Sequence, residues 1–344
     1  MADRIGILTG GGDCPGLNAS IRAIVRSAAQ HNMTCYGFPN GWEGVLDSAV
    51  THLTVESTRG ILHRGGTILG TSRVDPYREE DGIRRIQETL DIHGLDGVIV
   101  IGGEGTLSAA ARLADDEELP IIGIPKTIDN DVDGTDLTIG FVTAMDIATE
   151  AVDRLHSTAE SHNRVMVLEV MGRHAGWIAT YAGMAGGADA ILIPEQPFDI
   201  SAVCRHVRQR AGRGRDFSIV MVAEGAVPAD GTMHMPDYEE DEFGRPILGG
   251  IGHVVASEIR ERTGFDSRVT ILGHVQRGGS PGAYDRVLAT RFGVTAVEMA
   301  RSQQWGSMAG LQGRHVEAVP LTEATAQLKL VPSDLYEVAE TFFG

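Results

Sequence analysis

The chain has 344 residues, 42% hydrophobic and 22% charged, which is typical of a globular protein large enough for two domains. Its formal net charge of -18 disfavours nucleic acid and anionic membranes as partners, because a negative field repels both. No apolar run is long enough to span a bilayer, and three separated cysteines in no metal-binding spacing predict a reduced, cytoplasmic protein.

Short apolar segments alternate with segments of helical periodicity along the chain. The predicted buried strands are 5–8, 97–101, 121–124, 165–170, 190–193, 218–222 and 269–272. The predicted helices are 17–30, 81–92, 105–114, 142–158, 200–211, 250–262 and 284–300. Strand followed by helix, repeated, predicts an α/β fold with parallel sheets covered on both faces. The proline-rich and acidic segment 226–248 is predicted to be a surface excursion.

The first glycine-rich loop, residues 9–18, follows a strand and opens a helix. Glycines there let backbone N–H groups approach a phosphate, and the start of a helix favours negative charge. A tight strand-to-helix turn would explain the same glycines. The loop lacks the Gly-Lys-Ser/Thr of a Walker A motif, and Pro15 stands where a dinucleotide fingerprint has its third glycine.

The second loop, residues 101–107, also joins a strand to a helix. Glu104 falls in the first turn of that helix, where a carboxylate repels bound phosphates unless a cation intervenes. Mg²⁺ held by one carboxylate and by phosphate oxygens would remove the repulsion, and Glu104 is therefore the candidate metal ligand. Stabilisation of the helix dipole by Glu104 is the alternative.

The third loop, residues 125–133, places Asp129, Asp131 and Asp133 beside Lys126 after a buried strand. A carboxylate at this position could accept a proton from a hydroxyl nucleophile, although surface turns also use Asp and Asn. Lys126 is one of only two lysines in the chain. It could stabilise the charge of a migrating phosphoryl group, or it could neutralise the three acids.

Two later loops bring positive charge to strand ends in an otherwise acidic chain. They are residues 171–176 and 273–279, and Arg164 and Arg268 precede the corresponding strands. Arginine forks suit bidentate recognition of phosphate, so these loops favour an anion pocket. A metal carboxylate, a candidate base, phosphate-binding loops and arginines together indicate phosphoryl transfer.

Four motifs occur in this order: Gly-Gly-Asp-Cys-Pro-Gly-Leu-Asn (11–18), Pro-Lys-Thr-Ile-Asp-Asn-Asp (125–131), Met-Gly-Arg-His-Ala-Gly (171–176) and Gly-His-Val-Gln-Arg-Gly-Gly (273–279). Together they resemble the 6-phosphofructokinase family over about residues 5–293. The resemblance implies two three-layer α/β domains with parallel sheets, an active site in the cleft between them, and a homotetramer. The implied phosphoryl-donor domain is 1–140 with 276–325, and the implied sugar-phosphate domain is 141–275 with 326–344.

The resemblance also implies a glycolytic kinase that transfers the γ-phosphoryl of ATP to the 1-hydroxyl of fructose 6-phosphate, with Mg²⁺. Asp129 matches the base that deprotonates the hydroxyl. The catalytic group is Thr127, Asp129, Arg173 and Lys126. The sugar-phosphate group is Thr127, Asp129, Arg164, Met171, Gly172, Arg173, Glu224, Arg268, His274 and Arg277, of which Arg164 and Arg268 serve a neighbouring subunit in the family. The donor group is Gly12, Arg73, Val74, Gly103, Glu104, Gly105 and Thr106, with Glu104 as the metal ligand where many relatives have Asp.

Two alternatives remain open at this point. Pyrophosphate could replace ATP, because pyrophosphate-dependent relatives resemble this chain in having Lys at position 126. The same relatives carry Asp at the position of Gly105, however, and a glycine there leaves room for the α-phosphate of a nucleotide. The second alternative is a non-catalytic sugar-phosphate sensor, since a fold does not fix a function. A sensor would need neither Asp129 as a base nor Glu104 as a metal ligand.

Overall fold

The computed structural model describes residues 3–233 and 249–343, so the predicted excursion lies outside the described residues from position 234 onward. The chain divides into two compact units, Met1–Thr143 with Arg277–Lys329, and Ala144–Gln276 with Leu330–Gly344. The sequence placed its domain boundaries after residues 140, 275 and 325. The last boundary of the units falls later, after Lys329, because residues 327–329 are bonded to the acidic loop of the first unit.

The strands are β1 (Arg4–Thr9), β2 (Thr34–Gly37), β3 (Thr51–Leu53), β4 (Gly97–Gly102), β5 (Ile121–Thr127), β6 (Ile139–Gly140), β7 (Val165–Val170), β8 (Ala190–Leu192), β9 (Ser218–Ala223), β10 (Ser267–Ile271), β11 (Ser307–Gln312) and β12 (His315–Pro320). The α-helices are α1 (Leu17–Gln30), α2 (Trp42–Leu46), α3 (Gly82–His93), α4 (Glu104–Asp115), α5 (Phe141–His162), α6 (Trp177–Ala185), α7 (Ile200–Gly212), α8 (Ile251–Thr263), α9 (Ala283–Arg301), α10 (Leu321–Ala324) and α11 (Ser333–Glu340). Two 3₁₀ helices, Pro76–Arg78 and Gly273–Arg277, complete the elements of the described residues.

The first unit is built on a mixed sheet with the order β12-β11-β5-β4-β1-β2-β3, and β6 pairs with β5. Its centre is parallel, as predicted, and strands β4 and β5 are buried along their whole length. Its edges are not, because β3 runs antiparallel to β2 and β12 antiparallel to β11. The connection between β11 and β12 has only two residues, which suffices for a hairpin but not for a parallel crossover.

The second unit holds a four-stranded sheet with the order β10-β7-β9-β8, and every neighbouring pair is parallel. Strands β7 and β9 are fully buried, and apolar faces of α7 and α8 pack with β7 and β9 in one core. The predicted α/β class is thus confirmed in both units, with one mixed and one parallel sheet. Among the described helices, none is long and apolar enough to cross a membrane.

Candidate active site

In the first unit, the three predicted loops lie at the carboxyl ends of neighbouring parallel strands. Strands β1, β4 and β5 are neighbours in parallel register, with Thr9 opposite Ile101 and Gly102 opposite Pro125. The carboxyl ends of parallel strands meet at one edge, which is where open α/β sheets bind ligands. The topology therefore brings the first loop beside the acidic loop, although more than a hundred residues separate them in sequence, with the second loop between them in the sheet.

The first loop is fastened by its own backbone and by Lys126. Its Gly10 amide donates to the Ile101 carbonyl at 3.0 Å, and its Gly11 amide donates to Ser72 at 2.9 Å. The Lys126 ammonium is buried and donates to the carbonyls of Gly10 at 2.8 Å and Gly12 at 2.6 Å. Burial lowers the pKa of Lys126 to about 8, so the side chain remains mostly cationic at neutral pH.

Arg277 lies against the first loop in the same unit. Its Nη1 donates to the Asp13 carbonyl at 3.3 Å, and a Cβ on Gly12 would stand only 2.7 Å from that nitrogen. A side chain at position 12 would thus displace the guanidinium. The predicted donor residue Arg73 is exposed and follows Ser72, whose carbonyl holds the Gly11 amide, while half-buried Val74 packs on the core.

The second loop leads into α4 and places its predicted residues around an open space. Thr106 lies close to the first loop, because a Cβ on Gly10 would meet its side chain at 2.7 Å. A Cβ on Gly105, by contrast, would find no atom of the described residues within 4 Å. Gly103 precedes α4. The first amides of α4 donate to no side-chain cap, so the start of this helix is a favourable position for an anion.

The acidic loop after β5 is closed by Asn130. The Asp129 amide donates to Thr127 Oγ1 at 3.1 Å, and Asn130 adopts a left-handed conformation with φ of 53°. Asn130 Oδ1 accepts from the Thr138 amide at 3.0 Å, and Thr138 Oγ1 donates to the Thr127 carbonyl at 2.6 Å. These bonds fix the backbone on both sides of Asp129, the predicted base.

Asp131 lies in an unfavourable electrostatic environment in this loop. Its Oδ1 is buried and accepts no hydrogen bond from the described residues. Burial and, second, the neighbouring Asp129 carboxylate raise the pKa of Asp131 to about 7. The Asp131 carboxyl therefore takes up a proton more readily than an exposed aspartate does.

The residues present fit a magnesium ion that is held mainly by phosphates. Glu104 is exposed at the start of α4, and its charge is felt by Asp131 in the acidic loop. Its Oε1 also accepts from Ser108 Oγ at 3.1 Å, which orients the carboxylate. No cluster of three or more acidic, His or Cys ligands exists in residues 3–233 and 249–343. Mg²⁺ characteristically uses one or two carboxylates with phosphate oxygens and water, so a full protein cage is not needed.

In the second unit, the carboxyl ends of β7 and β9 bring four predicted sugar-phosphate residues together. The Glu224 amide donates to the Val170 carbonyl at 2.8 Å, and Gly225 donates to Gly172 at 3.0 Å. A Cβ on Gly225 would lie 1.9 Å from the Arg173 carbonyl, so only glycine allows this approach. Met171, Gly172, Arg173 and Glu224 thus share one rim of the sheet.

Arg164 directly precedes β7, and Arg268 is the second residue of the neighbouring strand β10, so both lie towards the amino ends of their strands. Arg164 Nε donates to Asp266 at 2.6 Å, and Arg268 Nη1 pairs with the other oxygen of Asp266 at 3.0 Å. The six residues of β7 separate Arg164 from the Arg173 rim by about 20 Å, and Arg268, level with Met166, is about 13 Å of strand from Val170. The structure therefore brings the two arginines together but does not bring them to Arg173 of the same chain. His274 is exposed in the 3₁₀ helix after β10.

Three supporting residues were missed by the sequence reasoning. Asn130 closes the acidic loop, Asp266 joins the two arginines, and buried Gln276 accepts from the Met171 amide at 3.3 Å. Asp266 had a signal, since it stands two residues before Arg268. Asn130 and Gln276 lie inside two of the four motifs. Their positions in the sequence give no sign that their side chains form hydrogen bonds with the backbone.

Comparisons with known proteins give the family of this chain. The family model described as Phosphofructokinase matches residues 4–300. The chain is 54% identical over 342 residues to the pyrophosphate–fructose 6-phosphate 1-phosphotransferase of Streptomyces coelicolor, across 99% of this chain and 100% of that one. It is also 54% identical over 343 residues to the ATP-dependent 6-phosphofructokinase of Mycobacterium tuberculosis strain H37Rv, with the same coverage.

A solved structure of phosphofructokinase from Saccharomyces cerevisiae shares the fold, with a TM-score of 0.80 and 33% identity. The match covers 99% of this chain and 46% of the yeast chain, so this chain spans less than half of that protein. Fold and loops define an α/β protein with glycine-rich loops at the carboxyl ends of its strands. The chain belongs to the phosphofructokinase family.

Proposed function

We propose that this protein is a 6-phosphofructokinase that phosphorylates the 1-hydroxyl of fructose 6-phosphate to give fructose 1,6-bisphosphate. The observation that carries the proposal is the meeting of two glycine loops, a buried lysine and an acidic loop at one edge of the first sheet. Phosphoryl transfer needs a cradle for the donor phosphates and a base for the acceptor hydroxyl, and this edge offers both.

In this proposal Asp129 takes the proton of the sugar 1-hydroxyl while that oxygen attacks the terminal phosphorus and the leaving phosphate keeps the bonding electrons. Thr127 orients the backbone of Asp129 through the bond at 3.1 Å. Arg173 and Lys126 are assigned to the charge of the transferring group, and the Met171–Arg173 segment with Glu224 to the sugar. Glu104 would hold Mg²⁺, which when bound neutralises charge on the donor phosphates.

ATP is the proposed donor. The open space around Gly105 suits a nucleotide, since a carboxylate at that position would crowd and repel the α-phosphate. Lys126, the residue that favours pyrophosphate, directs two of its three N–H groups to the Gly10 and Gly12 carbonyls. The relatives are divided between the two donors at the same identity, so the proposal of ATP is supported by the open space at Gly105.

Arg164 and Arg268 are proposed to bind the 6-phosphate in a neighbouring subunit, because they lie at the far end of β7 from Arg173. Because this assignment requires a neighbouring subunit, it supports the proposed homotetramer. Three free, buried cysteines suit the proposed cytoplasmic location, where thiols stay reduced.

Initial rates of fructose 1,6-bisphosphate formation with ATP and with pyrophosphate test the proposal. We expect turnover with ATP and little with pyrophosphate. Turnover with pyrophosphate alone would replace the donor but keep the reaction. Binding of fructose 6-phosphate without turnover from either donor would contradict the kinase and support a sugar-phosphate sensor.

A further inference from the structure

Gln276 is a buried polar residue just after the point where strand β10 leaves the sheet of the second unit. Strand β10 pairs with β7 as far as Ile271, which lies opposite Glu169, and the Leu272 amide donates to the Glu169 carbonyl at 3.0 Å. Beyond this bond the chain turns into the 3₁₀ helix Gly273–Arg277. The hydrogen-bond ladder between β7 and β10 therefore stops just before the rim that carries the predicted sugar residues.

The next backbone group in this ladder is the amide of Met171. In a parallel pair every second residue of a strand bonds to the same neighbour, so the bond after the Glu169 carbonyl would run from the Met171 amide to the Leu272 carbonyl. That carbonyl accepts instead from the Val275 amide of the turn at 3.2 Å. Because Met171 is buried, its amide needs another acceptor in place of Leu272.

The side chain of Gln276 supplies that acceptor. Its Oε1 accepts from the Met171 amide at 3.3 Å, and its Nε2 donates to the Gly273 carbonyl at 3.0 Å. One side-chain amide thus continues the ladder by one bond and also closes the turn that carries His274. A side chain without polar atoms at position 276 would leave the buried Met171 amide without this acceptor, which is costly.

We propose that Gln276 is a positioning residue for fructose 6-phosphate: it fixes the Met171 backbone and joins it to the turn that carries His274. The inference rests on the proposed function, in which the Met171–Arg173 segment holds the sugar. Both polar atoms of the Gln276 side chain are bonded to backbone, so the residue acts through the two loops rather than on a reacting atom.

Two substitutions at Gln276 test these bonds. Gln276→Met has a similar length but no amide, and Gln276→Asn keeps the amide on a side chain that is one methylene too short to make both bonds. Tyr336→Phe is the matched control, because it removes a buried hydroxyl that donates to the Ile191 carbonyl at 2.6 Å in the same unit. Ile191 belongs to β8, which forms the opposite edge of the sheet from β10.

The readouts for each full-length variant are the dissociation constant of fructose 6-phosphate from calorimetry, KM for each substrate, kcat and the midpoint of thermal unfolding. We expect both Gln276 variants to raise the dissociation constant and KM for fructose 6-phosphate by about tenfold, because small displacements of binding groups are costly. KM for ATP should change little. Gln276→Met and Tyr336→Phe should both lower the thermal midpoint, since each loses a buried hydrogen bond, but Tyr336→Phe should keep the affinity for the sugar phosphate. If Gln276→Met fails to fold, Gln276→Asn carries the same test.

Wild-type affinity for fructose 6-phosphate in the folded Gln276 variants would overturn the inference and leave a structural contact only. An equal loss of affinity in Tyr336→Phe would overturn it as well, because that change removes no bond at the sugar rim. A wild type that binds fructose 6-phosphate but turns over with neither donor would overturn the proposed kinase alone, since the dissociation constants would still decide the role of Gln276. A wild type that does not bind fructose 6-phosphate would overturn both.

Discussion

At the scale of single residues, Lys126 shows how one buried side chain can serve two purposes. Its ammonium holds the Gly10 and Gly12 carbonyls and leaves one N–H for another partner. The sequence offered two roles for it, stabilising a migrating phosphoryl group or neutralising nearby acids. The contacts add a third, which is to fix the shape of the donor loop.

We predict that Lys126→Met lowers both turnover and stability. Two buried carbonyls lose a charged partner, which should cost about 1–3 kcal/mol in the free energy of unfolding. Loss of a charge-stabilising donor should lower kcat by about a hundredfold. Denaturant titration and steady-state kinetics on the same preparation give both values. Unchanged kcat and unchanged stability would leave Lys126 with none of the three roles.

At the scale of elements, long segments with clear periodicity were predicted well and short or uniformly apolar ones were not. The pattern located α1 at 17–30, where one face packs against α9. It missed α6, whose sequence WIATYAGMA is apolar nearly all round and so lacks an amphipathic signal. It also missed β2, β3, β11 and β12, the outer strands on the two sides of the first sheet. Strands β2, β3 and β12 are partly exposed and carry no continuous apolar run, whereas β11 is mostly buried, so exposure does not explain that miss.

The start of α5 is held by a carboxylate from another helix. Asp285, fully buried at the first turn of α9, accepts from the Gly140 amide at 2.9 Å, the Thr143 amide at 2.8 Å and Thr143 Oγ1 at 2.5 Å. A sequence pattern could not reveal this cap, because Asp285 stands more than 140 residues from Gly140 and Thr143, the residues that it holds at the start of α5.

We predict that Asp285→Ala lowers the free energy of unfolding by roughly 3 kcal/mol or more, because three buried donors lose their acceptor. Asp334→Asn, a change at an exposed acid in the first turn of α11, is the matched control and should cost a few tenths of a kcal/mol. Urea unfolding of both variants measures the difference. A loss of equal size in the two would show that Asp285 is no stronger a cap than a surface acid.

At the scale of the whole molecule, the sequence motifs identified the family and the loops, but not the contacts that fix them. The four motifs and their order are visible in the sequence, so the resemblance alone indicated the family. The Asp266 bridge between Arg164 and Arg268 depends instead on β10 pairing with β7, which no spacing reveals. The same pairing places these arginines away from Arg173, in keeping with a role in a neighbouring subunit.

Asp129 is the proposed base of phosphoryl transfer to fructose 6-phosphate. The most direct test compares kcat and the dissociation constant of fructose 6-phosphate between the wild type and Asp129→Ala. We predict that kcat falls by about a hundredfold to ten-thousandfold, while the dissociation constant changes much less. A kcat within a few-fold of the wild type would contradict the claim.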